Sequence, residues 1–170
     1  MLFFFLLFPS LLNWITVPVN TAADNPLTVD GITLQYYLYP DSIEIQLSAP
    51  TKGWVAVGFH SENQLVGSDL LMFSVQHGQI VYQDQYIRNW NDHPQDSILG
   101  GRNNISIIGY LEDEGSTSVK FKIPINSGDA YDKAHQFDQD FWLLLAYSVE
   151  DDFGHHSITR KQIRYRFTSL

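Results

Sequence analysis

The chain has 170 residues, a formal net charge of −9, 44% hydrophobic and 14% aromatic content, and 17% charged residues. That charge excludes nucleic acid and anionic membrane surfaces as partners, since both reward positive charge, and the hydrophobic fraction is too high for a disordered acidic chain. No cysteine is present, which excludes disulfides, zinc–thiolate sites, iron–sulfur clusters and c-type haem attachment.

The first element in chain order is an apolar run, Met1 to Leu12, and no Asp, Glu, Lys or Arg occurs before Asp24. Pro9, Asn13 and Pro18 interrupt the run, leaving it short of the roughly 20 apolar residues a spanning helix needs. Residues 1–23 are therefore expected to be a signal peptide, with a small-residue cleavage site near Ala22 or Ala23, or else an uncleaved N-terminal anchor. The basic residues that usually open a signal peptide are absent. The expected location is extracytoplasmic, periplasmic or secreted, with membrane contact only through an uncleaved N-terminus. The lack of cysteine tilts the host toward a bacterial envelope.

Residues 24–170 have the length of a single domain. Apolar and polar residues alternate with period two: Ile43, Ile45 and Leu47 against Glu44 and Gln46, and Val119, Phe121, Ile123 and Ile125 against Lys120 and Lys122. Such alternation marks half-buried strands. Further strands are expected at Ile32 to Tyr39, Trp54 to Phe59, Asp69 to Val75, Ile80 to Asp84 and Asn104 to Tyr110. The apolar run Phe141 to Tyr147 reads as a core strand, and Ile163, Tyr165 and Phe167 close the series opposite Arg164 and Arg166. Turn signals at Pro40-Asp41, Lys52-Gly53, His77-Gly78 and Glu114-Gly115 separate the strands. Short strands at this spacing, with no long amphipathic helix, predict an all-β, antiparallel, immunoglobulin-like β-sandwich.

Two loops exceed what hairpins need, Arg88 to Arg102 and Ser127 to Asp140, and loops of this kind carry binding residues. Trp90, flanked by Asn89 and Asn91 with Tyr86 nearby, has the composition of a sugar-stacking site or of a lid folded onto the sandwich. Asp129, Asp132, Asp138 and Asp140 could gather a hard cation such as calcium or stand solvated, for the EF-hand spacing is absent. His60, His77, His93 and His135 are scattered near turns and read as surface residues. Asn104-Ile105-Ser106 is a glycosylation acceptor only in a eukaryotic host. No nucleophile elbow, HExxH helix or phosphate loop is present, so nothing in the motifs points to an enzyme.

One ordered set of motifs goes further. Gly53-Trp54-Val55-Ala56-Val57-Gly58-Phe59, Val66-Gly67-Ser68-Asp69-Leu70-Leu71, Asp84, Ser127-Gly128-Asp129-Ala130-Tyr131-Asp132-Lys133, Leu145-Ala146-Tyr147-Ser148 and His155-His156 ahead of Arg160 resemble the DOMON domain family. The resemblance runs from about Ile32 to Arg166. It implies an extracytoplasmic β-sandwich that, in one branch, holds b-type haem between its sheets for electron transfer, and in other branches binds sugars or small ligands. In the haem branch a methionine before the GSD-like strand and a histidine near the last strand are the axial ligands. Here the methionine position falls at Leu65, which has no lone pair to offer iron, and the histidine position falls at His156, with His155 beside it.

Met72 stands either as a substitute ligand or as core filling. Arg160, Arg164 or Lys161 could pair with the haem propionates. Three functions follow as expectations: a b-type haem domain passing electrons to a redox partner protein; an iron-free module binding a sugar or small molecule through Trp90 and Tyr86; or a ligandless interaction domain with a filled interior.

Overall fold

A computed structural model describes residues 26–168, so the expected signal or anchor segment lies outside the described residues. Two antiparallel sheets of five strands each pack face to face, which is the predicted sandwich. The strands are β1 (Leu27–Val29), β2 (Ile32–Leu38), β3 (Ser42–Ala49), β4 (Val55–His60), β5 (Asp69–Gln76), β6 (Gln79–Tyr86), β7 (Ser106–Glu112), β8 (Thr117–Pro124), β9 (Asp140–Tyr147) and β10 (Thr159–Arg166). A four-residue helix, α1 (Asp96–Leu99), sits in the first long loop. The first sheet runs β1-β2-β3-β8-β7 and the second β10-β9-β4-β5-β6.

Local chemistry sets the turns. His77 and Gly78, with φ of 54° and 75°, form the two-residue reversal between β5 and β6, and Asp30-Gly31 does the same between β1 and β2. Positive φ at both central positions matches the right-handed twist of the flanking strands. Between β7 and β8, Asp113 Oδ1 accepts from the backbone N–H groups of Gly115 and Ser116 at 2.9 and 2.8 Å.

Strand alternation then divides the core. On β8, Thr117, Val119, Phe121 and Ile123 are buried while the residues between them are partly exposed. These side chains meet those of β2, β3, β4, β5 and β9 in one apolar cluster that fills the space between the sheets. The haem position implied by the family resemblance, between the sheets, is therefore occupied by Ile45, Leu47, Phe73, Phe121 and Leu145, all fully buried. The second sheet differs from the first, because β4 and most of β5 are buried on both faces. Val57, Phe59, Leu71, Phe73, Leu143 and Leu145 point inward, and the intervening Ala56, Leu70, Met72, Leu144 and Ala146 build a second apolar cluster on the outer face.

Candidate functional site

The outer cluster begins with a row across the second sheet. Arg160 of β10 pairs with Ala146 of β9, Ala146 with Ala56 of β4, and Ala56 with Met72 of β5. Paired residues share a face. Two adjacent alanines between a guanidinium and a thioether leave a depression, which is the floor of a cavity of about 330 Å³. That volume lies within the range of small-molecule pockets.

Three loops wall it. Leu65 comes from the β4–β5 loop, which is tied to Ile87 by Gly67 N–H to Ile87 O (2.7 Å) and Ile87 N–H to Ser68 O (3.0 Å). The second wall is a tight reversal in which Arg88 N–H donates to Asp92 O (3.0 Å) and the two side chains form an ion pair at 2.6 Å. Its tip carries Asn89, Trp90 and Asn91 to the pocket rim, with Trp90 77% exposed, and His93 follows. The third wall is the β9–β10 loop, where Phe153 is buried and Asp152 accepts from the Gly154 N–H (2.9 Å) and the His155 N–H (3.0 Å). His155, His156 and Ser157 line the pocket from this side.

One cavity thus gathers Leu65, Met72, Trp90, His155, His156 and Arg160 from separate parts of the chain. Tyr86 does not join them. It packs on Tyr131, with ring centroids 5.4 Å apart, on the side of the sheet end where Lys133 lies over its ring. Its register partner is Asp69, and its backbone N–H bonds Pro94 O. Sequence proximity to Trp90 misled here, because the reversal at Arg88–Asp92 carries Trp90 away.

The donor chemistry of the pocket can be stated atom by atom. His155 Nδ1 faces Asp152 Oδ2 at 3.2 Å, whereas among the described residues no hydrogen bond or ion pair involves the His156 ring. Met72 is 2% exposed in the floor, and Leu65 presents only carbon. Arg164 and Arg166 pair with Asp140, and Lys161 with Asp30, while Arg160 enters none of the ion pairs among the described residues. Trp54 is 4% exposed in the wall, and its buried indole N–H has no partner among the described residues. An unpaired buried donor carries a cost that a ligand acceptor would remove. An apolar floor with imidazoles, amides and one free guanidinium on its rim suits a flat apolar ligand with an anionic or polar edge.

Two of the histidines expected at the surface are buried. His60 is 7% exposed and its Nδ1 accepts from the Glu62 N–H at 2.8 Å. His135 is 8% exposed, drawn inward by its backbone bond to Ile125 O (2.8 Å) and by ring contacts with Phe59, Phe141 and Phe167. Burial without a charged partner pushes its pKa down to about 4. The loop aspartates also divide: Asp140 serves Arg164 and Arg166, whereas Asp129 and Asp132 turn toward other carboxylates. The amide nitrogen of Asn104, the expected glycosylation acceptor, donates to Asp132 Oδ2 at 2.8 Å.

The DOMON domain family model matches residues 30–148. The chain belongs to the DOMON family. Among curated relatives, mouse DBH-like monooxygenase protein 2 is 29% identical over 110 residues, covering 64% of this chain and 17% of that protein. The Drosophila melanogaster MOXD1 homolog 2 is 23% identical over 122 residues, covering 72% and 16%. The chain therefore spans about a sixth of the length of these relatives.

Similar solved structures are the cytochrome b domain of pyranose dehydrogenase from Coprinopsis cinerea and the cytochrome domain of Myriococcum thermophilum cellobiose dehydrogenase. The first has a TM-score of 0.60 at 10% identity, covering 79% of this chain and 76% of its own. The second has a TM-score of 0.59 at 8% identity, covering 88% and 83%. At such identity the likeness is one of fold. This DOMON domain has the sandwich of a cytochrome domain, with an apolar-floored pocket on the outer face of the second sheet.

Proposed function

We propose that the outer-face pocket is the ligand site of this DOMON domain and that its ligand is b-type haem. The observation that carries the reading is the meeting of His155, His156, Met72 and the unpaired Arg160 around one apolar floor. The cytochrome domains with the same fold support it. An imidazole of the His155–His156 pair would hold the iron. His156 is favoured by its spacing to Arg160 and its unengaged ring, whereas His155 is tied to Asp152. Arg160 would meet a propionate, and the Trp54 N–H would face an acceptor on the ligand edge. Haem, when bound, supplies one-electron redox chemistry. The protein's part would be to exclude water with Leu65, Ile87, Leu144 and Phe153 and to seat the group over Ala56 and Ala146.

On this reading the domain is an electron carrier that works beside a redox partner protein, in an extracytoplasmic compartment reached through residues 1–23. The monooxygenases named among its relatives are several times longer, and their activity is not carried over.

Titration of the purified protein with haemin tests the assignment. The expected result is a saturable Soret shift that His156→Ala weakens at least about tenfold and that Ala146→Phe, which fills the floor, abolishes. No shift, or a shift unchanged in both His155→Ala and His156→Ala, would sink it.

One observation favours a second reading, an iron-free site for a sugar or other polar small molecule. Trp90 stands exposed on the rim between Asn89 and Asn91, an aromatic face flanked by amides. In that case Trp90→Ala removes glycan-array binding while haemin gives no saturable signal.

A further inference from the structure

A second group of side chains lies apart from this pocket, where the ends of β5 and β6 meet both long loops. Asp69, Asp84 and Asp132 each offer an oxygen within 4.8 Å of the others, and Asp96, Asp129 and Asp132 form a second such set sharing Asp132. Backbone and side-chain N–H groups hold one oxygen of each member of the first set. Lys133 N–H donates to Asp69 Oδ2 (3.0 Å), Asn104 N–H to Asp84 Oδ2 (2.8 Å), and Asn104 Nδ2 to Asp132 Oδ2 (2.8 Å). The other oxygen of each, Oδ1, is buried and has no hydrogen-bond partner among the described residues.

Asp96 supplies an independent observation. It is 0% exposed in α1, and neither of its oxygens has a hydrogen-bond partner among the described residues. None of the ion pairs among the described residues includes any of these acids. Burying one uncompensated carboxylate is costly, and five unpartnered oxygens in one place are relieved either by taking up protons or by a bound cation.

We propose that Asp69, Asp84 and Asp132 form a buried site for a hard divalent cation of calcium's size, with Asp96 set against the shared Asp132 beside it. Carboxylate oxygens alone suit a hard ion, and two oxygens 4.8 Å apart can both lie about 2.4 Å from an ion between them, the calcium–oxygen distance. Magnesium demands stricter octahedral geometry and gives up its waters reluctantly, so a crowded, buried cage disfavours it. The N–H groups on the Oδ2 atoms act as supports that aim the Oδ1 atoms inward. Without the ion, burial and mutual repulsion hold Asp69 well above the usual carboxylate range, with Asp84 pushed up to about 7 and Asp96 to about 8.

The ion would join β5, β6, α1 and the Ser127–Asp140 loop. Asp96 shares its loop with Asn89, Trp90, Asn91 and His93, so the cation would also brace one wall of the ligand pocket.

Thermal unfolding of the full chain in calcium chloride, magnesium chloride or EDTA, paired with terbium luminescence sensitised through Tyr131, tests the site. Calcium at a hundredfold excess over its Kd is expected to raise the midpoint by about 5 to 10 °C relative to EDTA, magnesium by less, and calcium should displace terbium saturably. Asp96→Asn should weaken calcium at least about tenfold yet melt above the parent in EDTA, because an amide bears neither a buried charge nor the cost of holding a proton there. Equal midpoints in calcium and EDTA with no saturable terbium signal would overturn the proposal, as would an Asp96→Asn variant that melts below the parent in EDTA. A magnesium shift matching that of calcium would overturn the size assignment.

Discussion

Phe121→Ala is expected to lower the unfolding free energy by about 3 to 5 kcal/mol, a large share of the roughly 5 to 15 kcal/mol typical of a domain. Phe121 is fully buried at the centre of β8, and its ring lies 4.5 Å from that of Phe73 on the opposite sheet, so it joins the two layers directly. Its register partner is Ile45 of β3, also fully buried, and these strand neighbours are fixed by backbone pairing and cannot close the gap. Removing the ring loses the transfer free energy and leaves a cavity that the sandwich fills only in part. Urea unfolding should show a lower midpoint with an unchanged slope. A loss below about 1 kcal/mol would mean that the sheets are not packed through this pair.

The second large effect is on pH. His135 is neutral in the fold, with a pKa near 4 against an ordinary value of 6.5. The unfolded chain takes up a proton as pH falls through 6.5, whereas the folded chain does so only near 4. The stability supplied by the neutral ring is therefore present in full above pH 6.5 and is lost as pH falls from 6.5 to 4, about 3 kcal/mol in all. Asp84 and Asp96 slope the other way in cation-free protein, since their raised pKa values give the folded state extra protons between about pH 4 and 8.

The informative quantity is thus the difference between the parent and His135→Phe, which keeps an aromatic ring among Phe59, Phe141 and Phe167 and cannot titrate. Between pH 7.5 and 4 the parent should lose about 3 kcal/mol more than the variant. Parallel pH profiles would show that His135 is not held neutral by burial.

How much of this was legible beforehand depended on whether one face of a strand is solvated. On β8 the alternation of Val119, Phe121 and Ile123 with Ser118, Lys120 and Lys122 gave both the strand and its orientation. On β4 and β5 the runs Val55–His60 and Asp69–Gln76 show no such alternation. A strand apolar on both faces must be covered on both, and that signal could have located the outer cluster before any coordinates. The core-strand reading fell on Phe141–Tyr147, and the ligand position between the sheets came from the family resemblance alone.

The residues themselves were better placed than the site. Leu65, His155, His156, Met72, Arg160 and Trp90 were each named from spacing or from the family resemblance, and the fold draws them to one cavity. Tyr86 was named beside Trp90 but packs on Tyr131 outside the cavity, because chain proximity does not survive a reversal. The acid cluster was half visible: Asp129 and Asp132 stood out in a loop, but Asp69 and Asp84 lie at strand ends and Asp96 in a one-turn helix, and only tertiary contact unites them.

The central claim is that ligand binds on the outer face of the second sheet, and amide chemical-shift mapping of the isotope-labelled protein during haemin titration tests it most directly. The account predicts perturbations at Ala56, Met72, Ala146, Trp90 and the Gly154–Ser157 segment, with Ile45, Phe73 and Phe121 between the sheets unmoved. Perturbations centred on Phe73 and Phe121, with the outer face silent, would contradict it.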